Sequence, residues 1–233
     1  MNDNIKKMIE LQATWNLVLE NRTVIERSKK SIDHWEKQVA DINDKIGSIK
    51  EDLKQKKAEL DSCELELAEK EQKITNLGNR RIQLKTQKEV EAIDHELQKH
   101  NTDKDALEED IINLMEKIDN LENDAANVQD ELVNTDKQAS QDIEMLKNRI
   151  GSAIKDEQEK KDSFEQGVNE LSPEYRSRFL KLTGASHGKA IVPIDGEICQ
   201  GCNFQVPVSI VMELGDNEKP VVCTNCGRFI YRK

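Results

Sequence analysis

The sequence predicts a mainly α-helical protein, in which a long antiparallel coiled-coil helical hairpin is followed by a small β domain. Apolar residues recur at alternating steps of three and four over most of the chain, which is the pattern of helices that supercoil around a partner. Aromatic residues make up only 3% of the 233 residues and charged residues 35%. This composition fills a narrow core but not a wide globular one. Four of the five cysteines lie after residue 198, in two matched pairs.

The first helix of the hairpin is marked by an apolar seam that begins at Ile32. Only Lys56, Lys70 and Arg81 interrupt it with polar side chains. Such a seam requires a partner helix to cover it. Cys63 lies in the seam, so we expect it to act as a small buried apolar residue rather than as a reactive thiol. The apolar seam residues are Ile32, Trp35, Val39, Ile42, Ile46, Ile49, Leu53, Leu60, Cys63, Leu67, Ile74, Leu77 and Leu84.

A second seam begins at Val90 and supplies the partner helix. It is interrupted by His100 and Lys104, and two consecutive steps of four around Ala139 form a stutter that locally unwinds a supercoil. The first seam also loses its register near residues 28–32, so both helices are expected to be irregular there. The apolar residues of the second seam are Val90, Ile93, Leu97, Leu107, Ile111, Leu114, Ile118, Leu121, Ala125, Val128, Leu132, Ala139, Ile143, Leu146 and Ile150.

The turn of the hairpin is predicted between residues 78 and 86. Thr86 and Glu89 have the spacing of a capping box, in which each side chain bonds a backbone amide of the other residue. A helix starting at Thr86 and ending near Gly167 matches the first helix in length. Gly78 and Asn79 form a competing turn site. We therefore assign residues 1–171 to the hairpin and residues 172–233 to a short helix with the β domain.

The predicted turn is basic, although the chain as a whole has a formal net charge of −11. No acidic residue lies between residues 73 and 88. We call the five cations there the basic tip. The pattern allows two interpretations, relief of charge for solubility or a docking surface for an acidic protein or a nucleic acid backbone. The basic tip consists of Lys73, Arg80, Arg81, Lys85 and Lys88.

After the hairpin, Ser172, Pro173 and Glu174 form a helix start, with an N-cap residue, a proline at the first helical position and an acid in the first turn. This helix is predicted to end near Leu182. Residues 189–194 predict a strand, and Asp195 and Gly196 a turn. Further short strands are predicted around Phe204, Val206, Val221, Val222, Phe229, Ile230 and Tyr231.

The two cysteine pairs have the spacing of a four-cysteine zinc site. Cys199 and Cys202 are separated by two residues, as are Cys223 and Cys226, and twenty residues lie between the pairs. Each tight turn presents two sulfurs to one ion, with amides after the cysteines free to donate to sulfur. Gly201 and Gly227 are expected at positions of positive φ. The C-terminal segment is therefore predicted to be a zinc ribbon holding one structural Zn²⁺.

Enzymatic alternatives fit less well. Thioredoxin-type redox chemistry requires a βαβ context that is absent from the sequence pattern. Four cysteine ligands leave a zinc ion no open position for catalysis. His95 and His100 are five residues apart instead of the four of a zincin helix, and the Gly184–Ala190 segment lacks the final Ser or Thr of a phosphate loop. We therefore expect a non-enzymatic protein.

At this point the chain resembles a bacterial family of coiled-coil hairpin proteins with a C-terminal C4-type zinc ribbon. The resemblance rests on "HGKAIVPIDGEICQGCNFQVP" and "VVCTNCGRFIY", and more weakly on "LKTQKEVEAIDHEL". It implies that the four paired cysteines are the zinc ligands, and it places Arg228 at the family's arginine. Characterised members are flagellum- or secretion-associated adaptors that bind the sigma factor RpoN, and one binds a flagellin messenger RNA. This chain departs from the family pattern at Gln205–Val208 and at Lys85–Lys88.

Two functions follow from these features. The first is an adaptor or chaperone-like protein that binds a protein partner, such as a sigma factor or a flagellar or secretion component, through the basic tip or the ribbon. The alternative is RNA or other nucleic acid binding through the tip and the basic residues of the C-terminal part. The sequence leaves open whether two hairpins form a dimer. The basic residues meant are Arg176, Arg178, Lys181, Lys189, Arg228, Arg232 and Lys233.

The expected compartment is the cytoplasm. The first residues are not followed by the apolar stretch of a signal peptide, and no segment reaches the roughly 18 apolar residues of a membrane span. Paired cysteines in a reducing compartment favour metal binding over disulfides. No membrane partner is therefore expected.

Overall fold

The computed structural model describes residues 1–185, 188–215 and 217–232. It confirms the predicted fold class, with two long helices, a small C-terminal sheet and two short helices. Two compact units divide the chain: Met1–Asp33 with Asp142–Lys233, which we call the ribbon unit, and His34–Gln141, the hairpin unit. The elements are α1 Asp3–Gln83, α2 Gln87–Val168, α3 Pro173–Gly184, β1 Ile191–Asp195, β2 Ile198–Cys199, α4 Val208–Leu214, β3 Val221–Val222 and β4 Phe229–Arg232.

The division between the units falls where the seams lose their register. One boundary follows Asp33, next to the irregular residues 28–32 of the first seam. The other follows Gln141, inside the stutter between Ala139 and Ile143. Both predicted irregularities thus mark the limits of a compact unit.

In the hairpin unit, α1 and α2 are antiparallel and pack along the two seams. Ile42, Ile46, Ile93, Leu114 and Ile118 are less than 9% exposed, and the remaining apolar seam residues of this unit are at least half-buried. Ion pairs between the two helices flank the seams. Partners later in α1 pair with residues earlier in α2, as antiparallel helices require. The ion pairs join Lys57 to Glu122 at 2.7 Å, Lys70 to Asp103, and Arg81 to Asp94.

The turn occupies residues 84–86, between the end of α1 and the start of α2. Gly78 and Asn79 are helical, so the competing turn site is not used. The expected capping box takes a different form, because the Thr86 hydroxyl donates to the Glu89 carboxylate instead of the side chains bonding backbone amides. The Thr86 carbonyl accepts from the Val90 amide at 3.2 Å, as an N-cap carbonyl should.

The ribbon unit has its main apolar core where the ends of both long helices meet α3 and the sheet. Trp15 packs on Phe164 with ring centroids 4.7 Å apart. Because Ile5, Met8 and Leu11 follow helical spacing, they place one face of α1 against the core. The buried members are Ile5, Met8, Leu11, Phe164, Val168, Leu171, Phe179, Ala190, Ile191 and Phe229.

A buried glutamine joins α1 to the start of the sheet within this unit. The Gln12 amide donates to the Gly188 carbonyl at 2.8 Å, and its oxygen accepts from the Ala190 amide at 2.6 Å. Gln12 is only 8% exposed. Its side chain therefore provides the hydrogen bonds that this backbone segment would otherwise lack.

The sheet has the strand order β2-β1-β4-β3. β1 pairs antiparallel with β2 around the predicted Asp195–Gly196 turn, and parallel with β4, while β3 and β4 are antiparallel. The strand prediction was wrong for Phe204 and Val206, which lie outside the four strands. α4, a seven-residue helix that begins directly after Pro207, was not predicted from the sequence.

The predicted start of α3 is correct, with Pro173 in its first turn, although the Ser172 side chain makes no capping bond. α3 continues two residues beyond the predicted end, to Gly184. Across the described ranges, none of the helices combines the length and the low polarity needed to cross a bilayer.

Candidate metal centre

The four paired cysteines converge in the ribbon unit. Their sulfurs all lie within 4.8 Å of one another. The Sγ atoms of Cys199 and Cys226 are 3.9 Å apart, and those of Cys202 and Cys223 are 3.8 Å apart. A tetrahedron of Zn–S bonds of about 2.3 Å has edges of roughly 3.8 Å. The sulfur positions therefore fit one tetrahedral zinc ion, and the four cysteines supply its complete ligand set.

Two turns of the same construction present these sulfurs. In the first, the Asn203 amide donates to the Cys199 carbonyl at 2.8 Å and the Cys199 amide to the Phe204 carbonyl at 3.0 Å. In the second, the Gly227 amide donates to the Cys223 carbonyl at 2.9 Å and the Cys223 amide to the Arg228 carbonyl at 2.8 Å. Each turn spans six residues and carries its cysteines at the first and fourth.

The position that needs a left-handed backbone is the one directly after the second cysteine. Asn203 has a φ of 56° and Gly227 a φ of 71°, and Asn and Gly are the residues that adopt this conformation most readily. The prediction is confirmed for Gly227 and wrong for Gly201. Gly201 instead permits a close approach, because a Cβ there would lie 2.9 Å from Arg228 Cδ.

Backbone amides direct hydrogen bonds at the sulfurs, as predicted. Cys199 receives them from Gly201 and Cys202, and Cys226 receives one from Arg228. Desolvation by burial nevertheless raises the pKa of the Cys199 thiol to about 12, and burial also raises the pKa of Cys226. A buried thiolate thus needs a cation, and zinc supplies that charge.

Cys202 differs from these two thiols. Desolvation also raises its pKa, but hydrogen bonds from the Asn225 side chain and the Phe204 amide, together with the neighbouring thiols, outweigh that effect. The net result is a pKa lowered to about 7. The surroundings of Cys202 therefore favour the thiolate, which is the form that binds metal.

A small apolar cluster supports the cysteines from within the sheet. Both Cys199 and Cys223 belong to it and are almost fully buried, so the metal site forms part of the core. α4 contributes Leu214 to this cluster, so this short helix packs against the apolar side of the metal site. The other buried members are Val192, Ile194, Val206, Val221 and Ile230.

The structure gives Arg228 an internal position. Its side chain is buried, its Nε donates to the Lys189 carbonyl at 3.0 Å and its Nη1 to the Gly201 carbonyl at 2.7 Å. Arg228 therefore links the second cysteine turn to the first turn and to the segment before β1. Arg228 is one of the basic residues named for partner binding, and its buried side chain is engaged within the ribbon unit.

Other basic residues of the C-terminal part are also engaged internally. Arg178 donates to the Gly227 carbonyl at 3.1 Å, and Arg176 donates to the carbonyls of Asn169 and Leu171. Aromatic residues of the same part of the chain could stack on bases only where they are exposed; Phe229 is buried and Phe204 is 50% exposed. His187, which opens the first quoted family segment, and Lys233 lie outside the described residues.

The basic tip lies in the hairpin unit, and all five of its cations are exposed. Arg81 forms a two-point ion pair with Asp94 through its Nε and Nη2 atoms. Within the described part of the chain, Lys73, Arg80, Lys85 and Lys88 form no ion pair. The tip therefore keeps most of its positive charge unneutralised.

Comparisons with known proteins support the metal centre and the fold. Residues 198–230 match the model of a C4-type zinc ribbon domain. No protein with curated annotation matches the sequence.

Three solved structures share the fold over nearly the whole chain. The CT398 protein of Chlamydia trachomatis has a TM-score of 0.86 at 19% identity, covering 99% of this chain and 98% of that one. The HP0958 protein of Helicobacter pylori has a TM-score of 0.69 at 19% identity, covering 100% and 98%. A protein of Mycobacterium smegmatis has a TM-score of 0.64 at 18% identity and covers all of both chains. At identities of 18–19%, the likeness to these three structures shows a shared fold and nothing more.

Proposed function

We propose that this chain is a non-enzymatic adaptor that binds an acidic protein surface through its basic tip. The observation that carries the proposal is the set of four exposed cations, Lys73, Arg80, Lys85 and Lys88, that have no carboxylate partner in the described residues. Elsewhere in the same unit some lysines pair with acids across the two helices, as Lys57 and Lys70 do. The tip differs because its cations follow one another without an acidic residue from residue 73 to residue 88. A basic surface on a chain of net charge −11 attracts an acidic partner selectively.

Zinc has a structural role in this proposal. Cys199, Cys202, Cys223 and Cys226 would hold the ion, whose chemistry when bound is to lock the two cysteine turns together. Because four thiolates complete a tetrahedral shell, a substrate has no position to occupy. The ribbon then acts as a folded module, and binding specificity comes from side chains outside the metal site.

The family resemblance adds a specific candidate, the sigma factor RpoN or another flagellar or secretion component. It rests on the sequence segments that contain the ribbon and the tip. The tip sequence departs from the family pattern at Lys85–Lys88, so RpoN is a partner to be tested directly.

The test is affinity capture from native lysate, with and without nuclease, using the wild type and Lys85→Glu/Lys88→Glu. We expect a defined protein to survive nuclease and to be lost with the tip variant. Lys29→Glu/Lys30→Glu makes the same charge change at exposed positions of α1 in the ribbon unit and should retain the partner. Purified RpoN is then titrated against all three proteins.

Two results would oppose the adaptor proposal. If capture disappears with nuclease, the exposed cations bind nucleic acid, and affinity should then fall steeply with salt. If both double variants retain the same protein, the basic tip is not its binding surface.

A further inference from the structure

Two large apolar side chains stand out by their exposure among the described residues. Ile82, near the end of α1, is 82% exposed, and Met212, in α4, is 77% exposed. The next most exposed large apolar residue is Leu65, at 69%. Ile82 and Met212 differ sharply in the charges that surround them.

Met212 forms part of an apolar ridge on the ribbon. Val208 precedes it by one helical turn and is 51% exposed, so both side chains lie on the same outward face of α4. We call these two residues the α4 ridge. Ile198 and Phe204, at 38% and 50% exposure, belong to the same short stretch of sequence.

The sequence around the α4 ridge is acidic. Glu213 follows Met212 directly, and Asp195 is paired with Ile198 between β1 and β2. Glu213 is partly neutralised by Lys219 at 2.8 Å, whereas Asp195 is exposed. Residues 195–218 contain no lysine or arginine, and their acidic residues are Asp195, Glu197, Glu213, Asp216 and Glu218.

Ile82 has the opposite surroundings. It lies within the basic tip, directly after Arg81 and three residues before Lys85. Cations thus flank this apolar side chain in the sequence, and of the two nearest Arg81 is paired with Asp94 and Lys85 has no ion pair in the described residues. The tip and the α4 ridge each combine exposed apolar side chains with charged neighbours. The neighbours are basic at the tip and acidic at the ridge, so the two surfaces are complementary in charge.

We propose that the α4 ridge of one copy binds the basic tip of a second copy of this chain. The apolar contact joins Ile82 to Val208 and Met212, while Arg80 and Lys85 face the acidic residues around the ridge. Opposite charges around an apolar centre set the orientation and accelerate the encounter. The contact is heterologous, because it joins two different surfaces. It does not depend on the adaptor role, although an external partner at the tip would compete with it.

Sedimentation equilibrium over a range of protein concentrations measures this association on the zinc-loaded full chain. We expect the weight-average mass to rise with concentration and the dissociation constant to increase at least tenfold between 50 and 500 mM NaCl. The tip variant Ile82→Ser/Lys85→Glu and the ridge variant Val208→Ser/Met212→Lys should each weaken association at least tenfold. Ile112→Ser/Lys117→Glu changes the same residue types elsewhere in the hairpin unit and should associate as the wild type does.

The decisive experiment mixes the two weakened variants. The tip variant keeps an intact ridge and the ridge variant an intact tip, so only a heterologous contact restores association in the mixture. Both variants are expected to fold because every substituted side chain is exposed. Zinc content and helical circular dichroism check this. A monomeric wild type, wild-type association of either double variant, or a mixture as weak as its components would each overturn the proposal.

Discussion

The hairpin unit and the ribbon unit bury their apolar side chains in different ways. The hairpin unit repeats one contact, a seam residue of one helix against the facing seam, so that each layer resembles the next. The ribbon unit gathers side chains from the start of α1, the end of α2, α3 and the sheet around clusters that do not repeat. Stability is therefore distributed along the first unit and concentrated at a few points in the second.

The largest expected difference between the units follows loss of the metal. Cys202→Ser removes one ligand, and apparent zinc binding in small four-ligand domains is worth about 10–16 kcal/mol at neutral pH. We expect zinc content to fall well below one ion per chain and amides in β1–β4 to lose protection, while the seam amides around Ile42 and Leu114 keep theirs. Hydrogen exchange by mass spectrometry resolves the two units.

Cys63→Ser is the matched control for this prediction. Cys63 is half-buried in the seam of the hairpin unit and is remote in sequence from the zinc ligands. It should retain full zinc content. Equal loss of protection in both units after Cys202→Ser would mean that the hairpin unit depends on the ribbon, contrary to the comparison.

A smaller loss of stability, in the hairpin unit, is expected from Leu114→Ala. Leu114 is 8% exposed in the seam. Its truncation to Ala removes buried apolar atoms and leaves a cavity, which should lower the free energy of unfolding by about 2–4 kcal/mol. Chemical denaturation measures the loss, and exchange should localise it to the hairpin unit. Leu65→Ala, at a side chain that is 69% exposed, should change the free energy of unfolding by less than about 0.5 kcal/mol. Equal effects at both sites would contradict a seam-based core.

The smallest effects come from one substitution made in each unit, and they have opposite signs. Gly227→Ala places a Cβ at a φ of +71° and should destabilise the ribbon by about 1–2 kcal/mol. Gly47→Ala lies in α1 with no atom within 4 Å of the added Cβ, and should stabilise the helix by about 0.5–1 kcal/mol. Thermal unfolding followed by circular dichroism compares the two variants. If both changed stability in the same direction, the different backbone requirements inferred for Gly227 and Gly47 would be wrong.

The parts that could be predicted from the sequence are those in which neighbours along the chain carry the information. The seams follow a period of three and four, so the helices and the approximate turn follow from local spacing. Each zinc ligand pair is likewise a local pattern. The tetrahedral fit of the four sulfurs could be expected because zinc imposes the same geometry on many sequences.

The parts that were missed depend on contacts between distant residues. The Gln12 bonds to Gly188 and Ala190 span 176 and 178 positions, and no local pattern predicts them. Arg228 was named with the other basic residues of the C-terminal part for partner binding, and its bonds to two backbone carbonyls of other segments have no local signal in the sequence. The left-handed Asn203 did leave a signal, since Asn and Gly occupy equivalent positions in the two cysteine turns.

The discontinuous ribbon unit has a consequence for synthesis on the ribosome. Ile5, Met8 and Leu11 are translated long before their core partners Phe164 and Phe229. The hairpin unit, His34–Gln141, is complete before either partner exists. Until Phe164 and Phe229 are translated, the nascent chain therefore carries an uncovered apolar helix face, and a chaperone that shields such faces can act on it during this interval.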